Sequence, residues 1–127
     1  MKSLTYRQFE KKITEHYSES DLKLIRKAYD FANEAHAGQK RATGVDYIEH
    51  SLNTAYNLAD LRLPTSIIMA GLLHDVPEDT ERTLDEIKKE FGADISKMVE
   101  GITKLSNIKY RGIERYVENL RKMFVAM

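Results

Sequence analysis

The sequence predicts an all-α fold, a bundle of about six or seven helices, on three observations. Apolar residues recur at three- and four-residue spacing almost throughout. Only 2 prolines and 6 glycines interrupt 127 residues, so helix breakers are few. No stretch alternates apolar with polar side chains as a half-buried strand would.

Leu4 to Tyr17 sets Phe9, Ile13 and Tyr17 four apart, which predicts a first amphipathic helix. Ser18 or Ser20 can cap a second, with Leu22, Ile25, Tyr29 and Ala32 on one face and Gly38 as its stop. Gln39 to Asp46 is polar, contains Gly44 and has no period, so it reads as a loop. The helical pattern resumes from Tyr47 to Leu61. Pro64 suits the start of a helix in which Ile67, Ile68, Ala70, Gly71, Leu72 and Leu73 are apolar nearly all round, and such a helix is buried. Thr83 with Glu86 three residues on forms a capping box, and Leu84, Ile87 and Phe91 follow before a stop at Gly92. Ile95 to Leu105 makes another helix and Ser106 to Gly112 a loop. The last segment aligns Ile113, Tyr116, Val117, Leu120, Phe124 and Met127. No linker, repeat or low-complexity segment divides the chain, so residues 1–127 read as one domain. Its final apolar stripe reaches the last residue with no glycine, asparagine or proline to stop it. The expectation is a domain cut short at its C-terminus, with an exposed last helix through which copies could pair as a homo-oligomer.

Composition narrows the function classes. Basic and acidic residues number 20 each, so no global field draws in nucleic acid or an anionic membrane. A small anionic substrate needs a local basic patch instead. The absence of cysteine excludes disulfides, thiolate zinc sites and cysteine nucleophiles. Any metal must be held by the 4 histidines and the carboxylates. No window approaches the roughly 18 apolar residues of a membrane span, and the polar N-terminus lacks a signal-peptide core. The expected compartment is the cytoplasm.

The chemistry concentrates in His74-Asp75-Val76-Pro77-Glu78-Asp79, directly after the most apolar helix. Burying such groups without compensation costs several kcal/mol per ion, and a divalent cation would offset that cost. Imidazole with carboxylate suits zinc, manganese or iron, whereas oxygen-only sites suit magnesium or calcium. Adjacent residues diverge by about 100° on a helix, so His74 and Asp75 can share an ion only where the helix ends. Pro77 is expected to supply that ending by driving Val76 out of the helical region. A lone His-Asp dipeptide is ordinarily a surface pair, and Glu78 and Asp79 could simply lead into the next helix. The apolar helix before the run and a second isolated histidine, His50, on the preceding helix favour a metal site.

Further segments extend the pattern: Ala35-His36-Ala37-Gly38-Gln39-Lys40-Arg41, Thr43-Gly44, Tyr47-Ile48-Glu49-His50, Leu72-Leu73 before His74, Phe91-Gly92, Gly101-Ile102-Thr103-Lys104-Leu105 and Asn119-Leu120-Arg121-Lys122-Met123. In order and at matching spacing over about residues 20–127, they resemble the hydrolase domain of RelA/SpoT-type enzymes. These members of the HD superfamily remove the 3′-diphosphate from guanosine tetra- and pentaphosphate, the alarmones of the stringent response. The resemblance implies an HD-domain helical bundle. It also implies that His50, His74 and Asp75 are ligands of one metal, manganese, and that Glu78 and Asp79 position and activate the attacking water. Arg41 would pack on the guanine ring, and Lys104, Lys109 and Arg111 would meet phosphate. For those last three a solvated basic loop is an equal reading. His36 reads as a structural histidine and His16 as a surface one.

The sequence departs from the family in four places. Val45-Asp46 stands for the usual Glu-Pro, and Ser51 for a common proline; both look structural. Ala42 replaces a frequent lysine, which weakens contact with the diphosphate. The family's fourth ligand, an aspartate in a Leu-Ala-Asp-Arg segment, and a following asparagine near the ribose would lie past Met127. Three ligands hold an ion more weakly, so a metal-free, inactive fragment stays open. The expected activity is metal-dependent hydrolysis of the alarmone 3′-diphosphate, releasing pyrophosphate. Two rivals remain: an HD phosphohydrolase acting on another nucleotide, and a non-catalytic nucleotide-binding or regulatory module.

Overall fold

The structure, a computed structural model, describes residues 4–37, 47–108, 117–118 and 120. Its helices in chain order are α1 (Tyr6–Ile13), α2 (Glu19–Ala35), α3 (Tyr47–Asp60), α4 (Thr65–Leu73), α5 (Val76–Asp79), α6 (Leu84–Phe91) and α7 (Ala93–Ile108). No strand occurs among the described residues, and the all-α expectation holds.

The nearly uniform apolarity of α4 explains its place at the centre. Residues Ile68 to Leu73 are all buried, and α2, α3 and α7 pack around the helix, while α1 lies on α3 and α6 on α7. The amphipathic helices turn their stripes inward: Phe9 and Ile13 from α1, Ile25 and Ala32 from α2, Leu52 and Ala55 from α3, Ile87 from α6 and Val99 from α7. Each large aliphatic side chain buried this way contributes about 1.5–3 kcal/mol.

Local chemistry sets the helix ends. Thr5 starts α1 with a capping box to Gln8. The helix stops at Ile13, short of the predicted Tyr17, because the chain turns there and Tyr17 is used elsewhere. Its hydroxyl donates to the Leu63 carbonyl at 2.6 Å and bolts this turn to the α3–α4 corner. Ser18 caps α2 by accepting from the Asp21 N–H at 3.1 Å. The α2 helix ends at Ala35, before Gly38, with His36 as its C-cap. At the end of α3, Arg62 N–H donates to Ala59 O and Leu63 N–H to Leu58 O, the paired bonds of a Schellman ending. That ending requires the left-handed backbone that Arg62 adopts, φ 56°.

Thr83 and Glu86 form the predicted capping box of α6, and Gly92 ends that helix. The α7 helix begins at once and runs past the predicted end at Leu105 to Ile108. Pro77 acts differently from expectation. It stands in the first turn of α5, and Val76 stays helical; proline is tolerated there because a first-turn N–H has no intrahelical partner. The break instead falls at His74 and Asp75. Of the last segment, Val117, Glu118 and Leu120 are helical and Val117 packs against the core. The rest of the segment, and with it the expected pairing surface, lies outside the described residues.

Candidate metal centre

The ends of helices built for packing place the donors. The α4 helix stops at Leu73, His74 follows as C-cap (φ −60°, ψ −34°), and Asp75 (φ −90°, ψ −8°) opens α5. Here two adjacent side chains can turn toward one point. Across the α3–α4 interface, His50 in the first turns of α3 reaches the same point. His50 Nε2 lies 3.4 Å from Asp75 Oδ2, and His74 Nε2 lies 3.2 Å from Asp75 Oδ1. The two imidazoles meet edge-on, with ring centroids 5.3 Å apart. One donor atom from each of the three residues falls within 4.8 Å of the other two.

Hydrogen bonding fixes what His74 offers. Its Nδ1 is 2.6 Å from the Gly71 carbonyl oxygen. A carbonyl only accepts, so Nδ1 carries the proton and Nε2 of the neutral ring presents a lone pair. That lone pair faces a carboxylate oxygen, and two acceptors so close repel unless a proton or cation lies between them. Neighbouring ligands about 2.1 Å from one ion are about 3.0–3.4 Å apart; the two His–Asp separations, each to a different oxygen of Asp75, fall in that range, and the set of three donor atoms spans up to 4.8 Å. The residues therefore fit a divalent cation, and the donor chemistry of two imidazoles and a carboxylate agrees. Side-chain exposure rises from 2% at His74 through 14% at Asp75 to 30% at His50, so the cluster is buried on one side and open on the other.

Burial pushes the Asp75 carboxyl upward, but positive charge on the imidazole side of the cluster, from His74 foremost and then His50 and His36, outweighs it. The net result holds Asp75 below the usual carboxylate range, ionised and ready as a ligand. Asp79 moves the other way: burial first, then the Asp75 and Glu78 carboxylates, raise it above its ordinary value. A carboxylate with raised affinity for a proton suits proton acceptance. Glu78 is exposed and Asp79 partly buried, both on α5, one turn from the cluster.

Of the predicted site residues, the structure brings together His50, His74 and Asp75, with Glu78 and Asp79 on the adjoining turn. Lys104 is exposed on α7, with its Nζ 2.9 Å from Glu100 Oε1. Arg41, Lys109 and Arg111 lie outside the described residues. Two further positions bear on the site. His36 is buried and in electrostatic reach of both Asp75 and Asp79; its signal was membership of the same short segment as Arg41. Thr103 Oγ1 lies 2.9 Å from Val99 O and 3.5 Å from His74 O, which sets α7 against the back of the His-Asp turn. A threonine on an apolar helix carries little sequence signal for such a role.

The HD domain family model matches residues 28–127. This chain belongs to the HD domain family. The matched stretch takes in His50, His74 and Asp75, and the RelA/SpoT-like resemblance has matching relatives. A guanosine-3′,5′-bis(diphosphate) 3′-pyrophosphohydrolase of Aquifex aeolicus is 46% identical over 115 residues, 91% of this chain and 16% of that protein. The bifunctional (p)ppGpp synthase/hydrolase SpoT of Escherichia coli is 43% identical over 110 residues, 86% of this chain and 16% of that protein. A GTP pyrophosphokinase of Streptomyces coelicolor is 44% identical over 108 residues, 85% of this chain and 13% of that protein. The chain thus spans at most 16% of the length of these relatives.

Proposed function

We propose that this HD domain, residues 1–127 acting as one unit, hydrolyses the 3′-diphosphate of guanosine tetra- and pentaphosphate and releases pyrophosphate. The observation that carries the reading is the convergence of His50, His74 and Asp75 on one point beside the α5 carboxylates. The names of the Aquifex and Escherichia relatives supply the substrate. His50, His74 and Asp75 would hold one divalent ion, manganese in this reading. The chemistry such an ion supplies is charge, which acidifies water and withdraws electron density from a phosphoryl oxygen.

The protein's own residues do the rest. Glu78 and Asp79 orient a water toward the phosphorus attached to the ribose 3′ oxygen, and Asp79 accepts its proton. The new bond joins the water oxygen to that phosphorus while the phosphorus–O3′ bond breaks. The 3′ oxygen takes up a proton and leaves as a hydroxyl, and pyrophosphate carries away the new oxygen. Arg41 would stack its planar guanidinium on guanine, as that group can. Lys104, Lys109 and Arg111 would neutralise the phosphates. A cytoplasmic setting goes with a nucleotide substrate, and among the described residues no helix is long and apolar enough to cross a membrane.

Incubating the chain with manganese and guanosine 3′,5′-bis(diphosphate) is expected to yield GDP and pyrophosphate in equal amounts, with no such product from Glu78→Gln/Asp79→Asn. The relative named only as a GTP pyrophosphokinase favours a second reading, in which the domain binds the nucleotide without cleaving it. Saturable nucleotide binding with metal present and no pyrophosphate released would select that reading.

A further inference from the structure

The α5 helix carries both proposed water carboxylates, yet with 4 residues it is a single turn, too short to hold its own shape. Its near end is fixed by packing: Val76 is buried in the core, directly after the His-Asp pair that closes α4. Side chains hold its far end. Thr80 closes the turn, its N–H donating to the Val76 carbonyl at 3.0 Å and its hydroxyl to the same oxygen at 2.7 Å. That hydroxyl oxygen also accepts the Arg82 N–H at 3.0 Å, which ties the backbone of Arg82 to the end of α5.

From there the Arg82 side chain reaches two helices. Its Nη1 donates to Glu86 Oε2 at 2.8 Å in the first turn of α6, and its Nη2 to Glu34 Oε1 at 3.5 Å near the end of α2. The guanidinium carbon lies 5.6 Å from the centre of the Phe31 ring, one turn earlier on α2. Phe31 meets Phe91 edge-on with centroids 5.5 Å apart, and Lys27 Nζ donates to the Glu90 carbonyl at 2.7 Å. Lys27, Phe31 and Glu34 share one face of α2 by their spacing, so that face grips α6 at both ends. A lone ion pair between exposed side chains contributes little. Here one planar fork serves two carboxylates over an aromatic ring, a combination that arginine suits and lysine does not. We propose that Arg82 is a positioning residue that anchors the far end of α5 to α2 and so holds Glu78 and Asp79 beside the cation cluster. Its consequence for turnover rests on the hydrolysis proposed above, whereas the anchoring does not.

Amide hydrogen exchange, read residue by residue by NMR on the 127-residue chain, tests the anchoring without turnover. Arg82 precedes the Thr83 cap and its side chain is 42% exposed, so Arg82→Ala is expected to fold. Losing an ion pair and a cation–π contact together shifts a local equilibrium by roughly 5–10-fold. Exchange of the Asp79 and Thr80 amides, the two that close α5, is expected to quicken by that factor in Arg82→Ala, with Leu72 and Leu73 of α4 unchanged. Phe31→Leu/Glu34→Ala, which removes the α2 side alone, is expected to do the same. Wild-type exchange at Asp79 and Thr80 in Arg82→Ala would overturn the proposal. So would a response that Phe31→Leu/Glu34→Ala fails to reproduce, which would confine Arg82 to α6, or an equal quickening in every helix. In turnover, Arg82→Ala is expected to lower kcat for pyrophosphate release about 10-fold while KM and manganese affinity hold; a loss confined to KM would overturn the role at the carboxylates. A wild-type chain that releases no pyrophosphate would sink the hydrolysis reading alone, and exchange would still decide the anchoring.

Discussion

Two residues outside the regular regions show how position sets the cost of a side chain. Gly92 sits at φ 98°, ψ 166° after α6, a region essentially reserved for glycine. A methyl group there would meet no neighbour within 4 Å, so the cost of Gly92→Ala is backbone strain alone. Urea unfolding of Gly92→Ala is expected to show a loss of about 1–3 kcal/mol. Arg62 occupies a milder left-handed position at φ 56°, tolerated because the Schellman bonds around it satisfy the last carbonyls of α3. At the site, the Asp75 carboxyl is held down and that of Asp79 pushed up, which suits the proposed roles of ligand and proton acceptor.

At the scale of elements, the α3–α4 contact decides whether the donors meet. Gly71 leaves no room for a side chain against α3: a Cβ built there would stand 2.7 Å from Leu58 Cδ1 and 3.7 Å from Thr54 Cγ2. The same residue gives its carbonyl to His74 Nδ1, so packing and ligand orientation share one position. Alanine there gains helix propensity, about 1 kcal/mol relative to glycine, against a clash that the Leu58 side chain can partly relieve. A branched side chain has no such relief. Gly71→Val is expected to cost about 1–3 kcal/mol by overpacking and to weaken manganese binding, by chemical denaturation and calorimetry respectively; unchanged values in both would remove Gly71 from the account.

For the whole molecule, the metal and the folded state should be linked. If the cation binds only the folded chain, manganese at 100 times its dissociation constant stabilises by about 2.7 kcal/mol. The midpoint of thermal unfolding is expected to rise with manganese, to fall back on adding EDTA, and not to respond in His74→Ala. A wild-type midpoint indifferent to manganese would contradict the site. A second linkage runs through Tyr6, which is buried on the core beside Phe9 and Tyr29. Burial, then the Glu10 carboxylate, push its phenol from 10.0 up to about 12. The folded chain therefore binds this proton more tightly than the unfolded one. Its contribution is complete below pH 10 and lost as pH rises through about 12. Following ellipticity and phenolate absorbance together should show alkaline unfolding in that window, moved to higher pH in Tyr6→Phe.

Much of this was legible in the residues. Capping boxes, the glycine stop at Gly92 and the continuous apolarity of α4 are local signals, because caps and periodicity act within a turn or two. The His-Asp pair and His50 were legible as a metal set because polar ligands beside a buried helix need a reason to be there. Helix ends were less so. Tyr17 fits the α1 period but is recruited by a carbonyl 46 residues away, and Pro77 proved to start a turn rather than stop one. By itself the sequence determined the helical class, the central helix and the candidate donors, all consequences of local hydrophobic pattern and residue chemistry. Only the tertiary structure decided that His50 meets Asp75 and that Gly71 lets it do so. These relations depend on how α3 and α4 cross, and the spacing of residues along one chain does not encode that crossing.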